Sequence, residues 1–507
     1  MDILSMHAQS QPDKAAVVVD DLTITYGQLE EDANRFANAL LTLGITRGDR
    51  CTTVGYNAPQ HFITSSANRK IEAVGVPMNY RLTGPEMEYQ LNDSGSAAVF
   101  CGPDQLETVA SVAGRCPELR VKVAWGVDAV PDGWLSFDEV LQGGSPEHPG
   151  MDTGMTGASM TYTAGTTGNP KGAYRAQGTD PAVLFTYIQL LQMSPEDRHL
   201  IAGPLYHSAP AALAVINTAL GATNVLMRRF DPQRALETIE RQRCTTTFMA
   251  PTLLQRIVDL PDEVRARYDL SSMRVIVVAA APCPHDVKVR VHELFGEVLY
   301  EFYGSSEAGI NTILYPHEQL ERPGSCGRVC EGNEIRILDD LGHPVPQGEP
   351  GEIWIRSNSL ITEYYGKPEA TAESMRDGFF SVGDIGYFDE DGYLYVVDRK
   401  RDMIISGGAN IYSAEVENAI HGHPGVADVA VIGIPSEEWG ETVHAIVQPV
   451  EGESLTEPEL RAWLADRLAQ YKHPKSYEFR ELPRDLAGKI RKRELREPFW
   501  AGRETKV

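Results

Sequence analysis

Apolar and polar positions alternate along this chain in blocks that change period several times. Residues 15–26 place Ala-Val-Val-Val and Leu-Thr-Ile-Thr-Tyr on either side of Asp20-Asp21, a pattern that predicts a short hairpin. Leu29, Ala33, Phe36, Ala37, Leu40 and Leu41 then recur at helical spacing, and Gly44 closes that helix. From Cys51 to about residue 125, short apolar runs alternate with helical stretches, as in a layered βαβ arrangement. Residues 140–158, rich in Gly, Pro and acidic side chains, predict a surface connection.

Further on, 246–250, 274–278 and 298–302 are apolar without strict alternation, the pattern of parallel strands buried on both faces. Each stops at a break, at Pro251, Ala281-Pro282 and Tyr303-Gly304, and ligands of open α/β sheets gather beyond such strand ends. Segments 334–339 and 351–357 predict a β-rich piece with Gly/Pro turns. Residues 426–434 and 442–450 predict two more strands. Thr456 and Glu459 have capping-box spacing ahead of a helix whose stripe is Leu460, Trp463, Leu464 and Leu468.

Length and charge narrow the class. The 507 residues exceed what one core organises, so two or more domains are expected. The formal charge of −25 opposes binding of nucleic acid or of an anionic membrane by the surface as a whole, though it leaves room for a local basic patch and for peripheral membrane contact. The seven cysteines are scattered without a Cys-x-x-Cys pair, which fits a reducing cytoplasm and a chain without a cysteine metal site. No apolar run reaches ~18 residues, so neither a membrane span nor a signal peptide is expected.

The chemistry concentrates in Met160-Thr-Tyr-Thr-Ala-Gly-Thr-Thr-Gly-Asn-Pro-Lys-Gly172. Gly165, Gly168 and Gly172 free the backbone to turn its N–H groups toward one point. Thr163, Thr166 and Thr167 add hydroxyls, and Lys171 adds a mobile cation, together a cradle for a polyphosphate. The spacing is not that of a Walker loop.

This stretch resembles the signature loop of the acyl-adenylate-forming superfamily, which holds acyl- and aryl-CoA synthetases, peptide-synthetase adenylation domains and beetle luciferases. Four more motifs extend the resemblance over nearly the whole chain. Pro204-Leu-Tyr-His-Ser-Ala-Pro210 resembles the motif in which His207 gates the phosphate and acyl sites. Tyr303-Gly-Ser-Ser-Glu307 resembles Tyr-Gly-x-Thr-Glu, with Ser306 in place of Thr. Ser381-Val-Gly-Asp-Ile-Gly386 with Asp398-Arg-Lys-Arg-Asp402 resembles the ribose motif and the hinge. Pro483-Arg-Asp-Leu-Ala-Gly-Lys-Ile490 resembles the terminal lysine loop.

The resemblance implies an α/β fold: a large N-terminal domain of layered sheets with a small β-barrel-like part, over 1–400, and a small mobile α+β domain over 401–507, hinged near 398–402. It implies ATP and Mg²⁺ as cofactors and coenzyme A as co-substrate. Adenine falls to Ala281, Tyr303 and Gly304, and ribose to Asp384 and Arg399. Mg²⁺ falls to Glu307 and Thr166. Lys489, with His207 and Glu307, is expected in catalysis. The hinge position, commonly Lys or Asp in relatives, is Arg401, and Gly407-Gly408 form part of the pantetheine tunnel. The 18 residues after Lys489 leave no carrier-protein domain, which favours free coenzyme A as acceptor over a separate carrier protein.

For the acid, Ala209, Phe302, Gly304 and Ile310 with His207 outline an apolar pocket. Ala211 and Ala212 read equally as room for an acyl chain or as tight helix packing. No aspartate is placed to hold an α-amino group, and Phe302 stands where some aryl-CoA ligases have glycine, which disfavours a planar cinnamate-type acid. A medium- or long-chain fatty acid is therefore expected, with an alicyclic, steroid side-chain or aryl acid as the alternative. A homodimer is compatible with all of these readings.

Overall fold

In the computed structural model, residues 2–150, 157–163, 170–178, 180–400, 402–406, 409–436, 439–484 and 490–501 are described. The chain divides into two compact units, Met1–Glu334 with Arg356–Phe380, and Ile335–Ile355 with Ser381–Val507. Residues 381–400, assigned above to the first domain, thus group with the C-terminal residues.

The first unit holds two large sheets. One runs in the order 328–329, 309–314, 299–305, 275–278, 246–249, 198–201, 223–226, 15–19, 22–25. Its central strands are parallel and buried along their length, as their unbroken Val, Ile and Thr content requires. The other runs 363–364, 171–175, 159–163, 74–78, 50–54, 96–101, 121–124, 135–136. The hairpin at Ala15–Val19 and Leu22–Thr25 forms as expected, and helix Tyr26–Thr42 follows it. Phe36 and Leu40 of that helix are fully buried in one core with Val17 and Leu226 of the first sheet and Ala98 and Phe100 of the second. The helix is therefore a filling between two sheets.

Two expectations shift. Strand 298–302 does not break at Tyr303-Gly304. It runs Leu299–Ser305 and turns into Gly309–Leu314, its antiparallel partner. The antiparallel partner supplies the backbone hydrogen bonds that carry the strand past Gly304. The helix after His207 begins at Ser208 rather than Ala211, because Pro210 sits in its first turn, where a missing N–H costs nothing.

The second unit carries strands Asp384–Phe388 and Leu394–Arg399 paired antiparallel, then a sheet in which Val426–Ser436 and Gly440–Pro449 form the central hairpin. Glu459 closes the expected capping box by accepting from the Thr456 amide at 2.8 Å. All seven cysteines are free thiols. Among the described residues no helix is long and apolar enough to cross a membrane.

Buried polar groups in the first unit make its stability pH-dependent. His199 is buried with Nδ1 2.9 Å from Thr246 Oγ1. Burial pulls its pKa from 6.5 to about 4, and does the same to His61. The unfolded chain takes up these protons near pH 6.5 and the folded chain only near pH 4, so stability falls as pH drops through that window. The urea midpoint of His199→Asn, which removes one such group, is expected to vary less between pH 7 and 5 than that of the parent. Equal slopes would contradict this account.

Candidate functional site

Strands Ser159–Thr163 and Lys171–Arg175 pair antiparallel in a register that sets Thr163 directly opposite Lys171. The stem of the glycine-threonine loop is thus a two-stranded ribbon ending in a hydroxyl on one side and an ammonium on the other. Gly165, Thr166, Thr167 and Gly168 lie outside the described residues, as do Arg401, Gly407, Gly408 and Lys489.

Thr163 Oγ1 donates to Glu307 Oε1 at 2.9 Å, and the Tyr364 hydroxyl donates to the same oxygen at 3.0 Å. Tyr364 lies on Glu363–Tyr364, which pairs with Lys171–Arg175, and the Lys171 ammonium stands 5.1 Å from the Tyr364 ring centroid. Lys171, Tyr364, Glu307 and Thr163 therefore form one continuous cluster. Tyr364 was not singled out from sequence, being one of 20 tyrosines with no motif around it.

Glu307 sits on the 306–308 turn of the hairpin described above, and its side chain is buried. Gly304 is required there, because a Cβ would stand 2.1 Å from the Gly309 carbonyl oxygen. The turn is held from three sides. Ser306 Oγ lies 2.9 Å from Ser208 Oγ at the start of the helix after His207. The Glu307 carbonyl accepts from the Ile361 amide at 2.8 Å. Arg175 donates to the carbonyls of Ser306, at 3.2 Å, and of Leu360, at 3.0 Å, and also to that of Ser359.

The buried Glu307 carboxylate receives only hydroxyl donors, with no lysine or arginine in ion-pair contact among the described residues, so it has acceptor capacity left for a cation. Glu307 thus fits a hard divalent ion such as Mg²⁺. Among the described residues no group of three or more His, Cys, Asp or Glu side chains gathers to hold a metal, so the remaining ligands would be phosphate and water oxygens.

The other first-unit residues named from the sequence take the following places. His207 occupies the N-cap of Ser208–Leu220, its ring 4.2 Å from that of Tyr206. Tyr303 is half-buried opposite Thr312. Ala281 is exposed just past Val275–Val278, after Ala280, which takes the left-handed backbone at φ 77°. Ala209, Phe302 and Ile310 do come together. They border one apolar cluster with Leu213, Ile216, Val275 and Val277, and the rings of Phe248 and Phe302 lie 6.3 Å apart.

In the second unit Asp384 and Arg399 are register partners, with Arg399 Nε 3.2 Å from Asp384 Oδ1. Asp398, beside Arg399, accepts from the Ser413 hydroxyl at 2.9 Å. Lys492 reaches the same hydroxyl at 2.7 Å and Glu417 at 2.7 Å, and Arg496 pairs with Asp402 at 3.0 Å. Burial pushes the carboxyl groups of Asp398 and Glu417 up from their ordinary values. For Lys492, burial acts downward but the surrounding carboxylates Glu417, Asp398 and Asp402 outweigh it and raise the ammonium. Helix Lys492–Trp500, which follows the lysine loop, is in this way fastened to 398–402.

Comparison with known proteins agrees with this geometry. Residues 4–365 match the model of AMP-binding enzymes and residues 415–489 that of the AMP-binding enzyme C-terminal domain. The chain is 39% identical to a feruloyl-CoA synthase of Amycolatopsis sp over 497 residues, 97% of each chain. It is 33% identical to a long-chain-fatty-acid–CoA ligase of Mycobacterium tuberculosis, covering 95% of this chain and 94% of that one. The solved structure of an anthranilate CoA ligase in complex with anthranoyl-AMP superposes with a TM-score of 0.89 at 27% identity, covering 98% of this chain and 96% of the other.

Removing the cation from the second-unit network leaves Glu417 and Asp398 buried without compensation, which costs ~3 kcal/mol for a pair of this kind. Lys492→Met is expected to lower the urea midpoint of the second unit strongly, whereas Lys492→Arg retains most of it. Equal midpoints for parent and Met variant would show that the network carries no net stability.

Proposed function

The chain belongs to the AMP-binding enzyme family and is an AMP-forming acid–CoA ligase, and we propose that its acid is a compact aromatic carboxylic acid. The observation that carries this reading is the cluster around Phe302. Ala209 and Phe302 are partly exposed and pack against the buried Leu213, Ile216, Val275 and Val277. The Phe248–Phe302 ring pair, with centroids 6.3 Å apart, offers aromatic faces on which a flat ring can pack. The 39% identity to a feruloyl-CoA synthase supports the same choice. The medium- or long-chain fatty acid expected from sequence is the second reading, favoured by the 33% identical mycobacterial relative.

The enzyme uses ATP, Mg²⁺ and coenzyme A. In the first step a carboxylate oxygen of the acid attacks the α-phosphorus and pyrophosphate leaves, giving the acyl–AMP anhydride. Negative charge accumulates between the carboxylate and the phosphate, so preorganised cations and N–H donors lower the barrier. Lys171 with Thr163, Thr166, Thr167, Gly165 and Gly168 serves the β- and γ-phosphates. Lys489 serves the carboxylate and α-phosphate oxygens. Glu307 and Thr166 would hold Mg²⁺, which would supply charge neutralisation on the phosphate oxygens. Tyr303, Gly304, Ser306 and Ala281 serve the adenosine side, and the Asp384–Arg399 pair the ribose.

In the second step the thiol of coenzyme A attacks the acyl carbon and AMP leaves. Gly407-Gly408 serve this step, and Arg401 is the hinge between an N-terminal domain of 1–400 and a C-terminal domain of 401–507. His207 gates the passage between phosphate and acyl sites.

Pyrophosphate release across hydroxycinnamates, benzoates, arylacetates and C2–C18 fatty acids tests the substrate. Aromatic acids are expected to exceed fatty acids by about tenfold or more in kcat/KM, with release stimulated by coenzyme A. The reverse order would hand the assignment to the fatty-acid reading, and release indifferent to coenzyme A would move the acceptor to a carrier protein. Lys489→Ala is expected to cut acyl-adenylate formation by roughly 100-fold or more while thiol transfer from preformed adenylate changes little. Gly408→Trp is expected to do the opposite, sparing pyrophosphate release and blocking thioester formation. Equal loss in both half-reactions for either variant would overturn this division of labour.

A further inference from the structure

Helix Gly84–Ser94 lies outside every motif discussed so far, yet its polar face touches both stems of the phosphate loop. The Tyr89 hydroxyl donates to the Pro170 carbonyl at 3.1 Å, just ahead of Lys171. One turn further, Asp93 Oδ2 accepts from the Tyr162 hydroxyl at 2.9 Å, just ahead of Thr163. Asp93 Oδ1 accepts from Lys367 Nζ at 2.7 Å, three residues beyond Tyr364. Positions 89 and 93 share a face of the helix, so one rigid edge holds three chain segments that bear on the site.

The helix is well suited to be that edge. Glu86 accepts from the Thr83 amide at 2.7 Å, Gly95 ends the helix in the left-handed conformation, and Met87 and Leu91 are buried beneath it. The Asp93 side chain is only 9% exposed, so its two donors are not readily exchanged for water. Burial first, and the Asp93 charge second, push the Tyr162 phenol well above its ordinary range, which keeps it an O–H donor at any working pH. Gly172 has its own part in this. A Cβ there would meet the Met160 sulfur at 2.8 Å and the Tyr162 ring at 3.4 Å, so glycine lets the ring lie across the strand on its way to Asp93.

We propose that Tyr89 and Asp93, with Lys367 as counter-charge, form a clamp that sets the spacing of the two stems of the phosphate loop and so positions Thr163 and Lys171 for the nucleotide. The inference rests on the reading of that loop as the phosphate site. Asp93 and Tyr89 are positioning residues, since they act through Tyr162, Pro170 and the 363–367 segment. A loosened stem raises the cost of binding the triphosphate and of reaching the adenylation transition state, and leaves the acid pocket and the thiol step alone.

The test measures KM for ATP in acid-dependent pyrophosphate release, KM for the acid, and thioester formation from preformed acyl-adenylate, alongside the melting temperature. Asp93→Ala is expected to raise KM for ATP about tenfold, with acid KM and thiol transfer within about twofold of the parent. Asp93→Asn, which keeps an acceptor for Tyr162, is expected to recover most of that loss. Tyr89→Phe removes one hydroxyl at a part-exposed position and is expected to raise KM for ATP about threefold, so it carries the test if Asp93→Ala does not fold. Parent-like KM for ATP in Tyr89→Phe and Asp93→Asn together with a folded Asp93→Ala, or equal loss in both half-reactions, would overturn the clamp. A parent enzyme without any ATP-dependent pyrophosphate release would instead overturn the reading of the loop, and the clamp with it.

Discussion

A carboxylate buried against hydroxyls alone is the constraint on which this site depends. Glu307 is removed from water and its Oε1 is shared by Thr163 and Tyr364. Such an arrangement is costly unless the surrounding chain holds the donors still. That need fits the convergence of three separate segments on the 306–308 turn, with Arg175 hydrogen-bonded to backbone carbonyls there while its charge also lies close enough to Glu307 to interact with it.

The second unit solves the opposite problem. Around Lys492 the carboxylate of Asp398 is also buried and that of Glu417 largely so, but here the counter-ion is built into the chain. The network joins helix Lys492–Trp500 to the segment that carries Arg399 and its partner Asp384. One unit keeps a charge open for chemistry. The other closes its charges to gain a fixed geometry.

The motifs were legible because adenylate chemistry demands particular residue types at short spacings. A loop of glycines, threonines and a lysine, or a Tyr-Gly followed by Glu, is local information, and the sequence carries it intact. The parallel strands and the amphipathic helix Tyr26–Thr42 were legible for a similar reason, since burial on one or both faces prints a period on the chain. Tyr364, Arg175 and Asp93 were not legible. Each works through a partner more than fifty residues away, and nothing near it in sequence marks the encounter.

The extension of strand 299–305 through Tyr303 and Gly304 has the same origin: the partner strand decides where the ladder ends, and Gly304 alone shows only that something must pass close by. The acid pocket followed the same rule. Ala209, Phe302 and Ile310 were each identifiable as apolar, but whether they enclose a deep channel or a shallow wall depends on the side chains packed behind them. The sequence by itself determined the fold class, the family and the chemical groups available for adenylation, because periodicity and motif spacing are properties of neighbouring residues. Only the tertiary structure decided which hydroxyls hold Glu307, which helix hydrogen-bonds to both stems of the glycine-threonine loop and which apolar side chains pack against Phe302, because those depend on contacts between residues that the chain order keeps far apart.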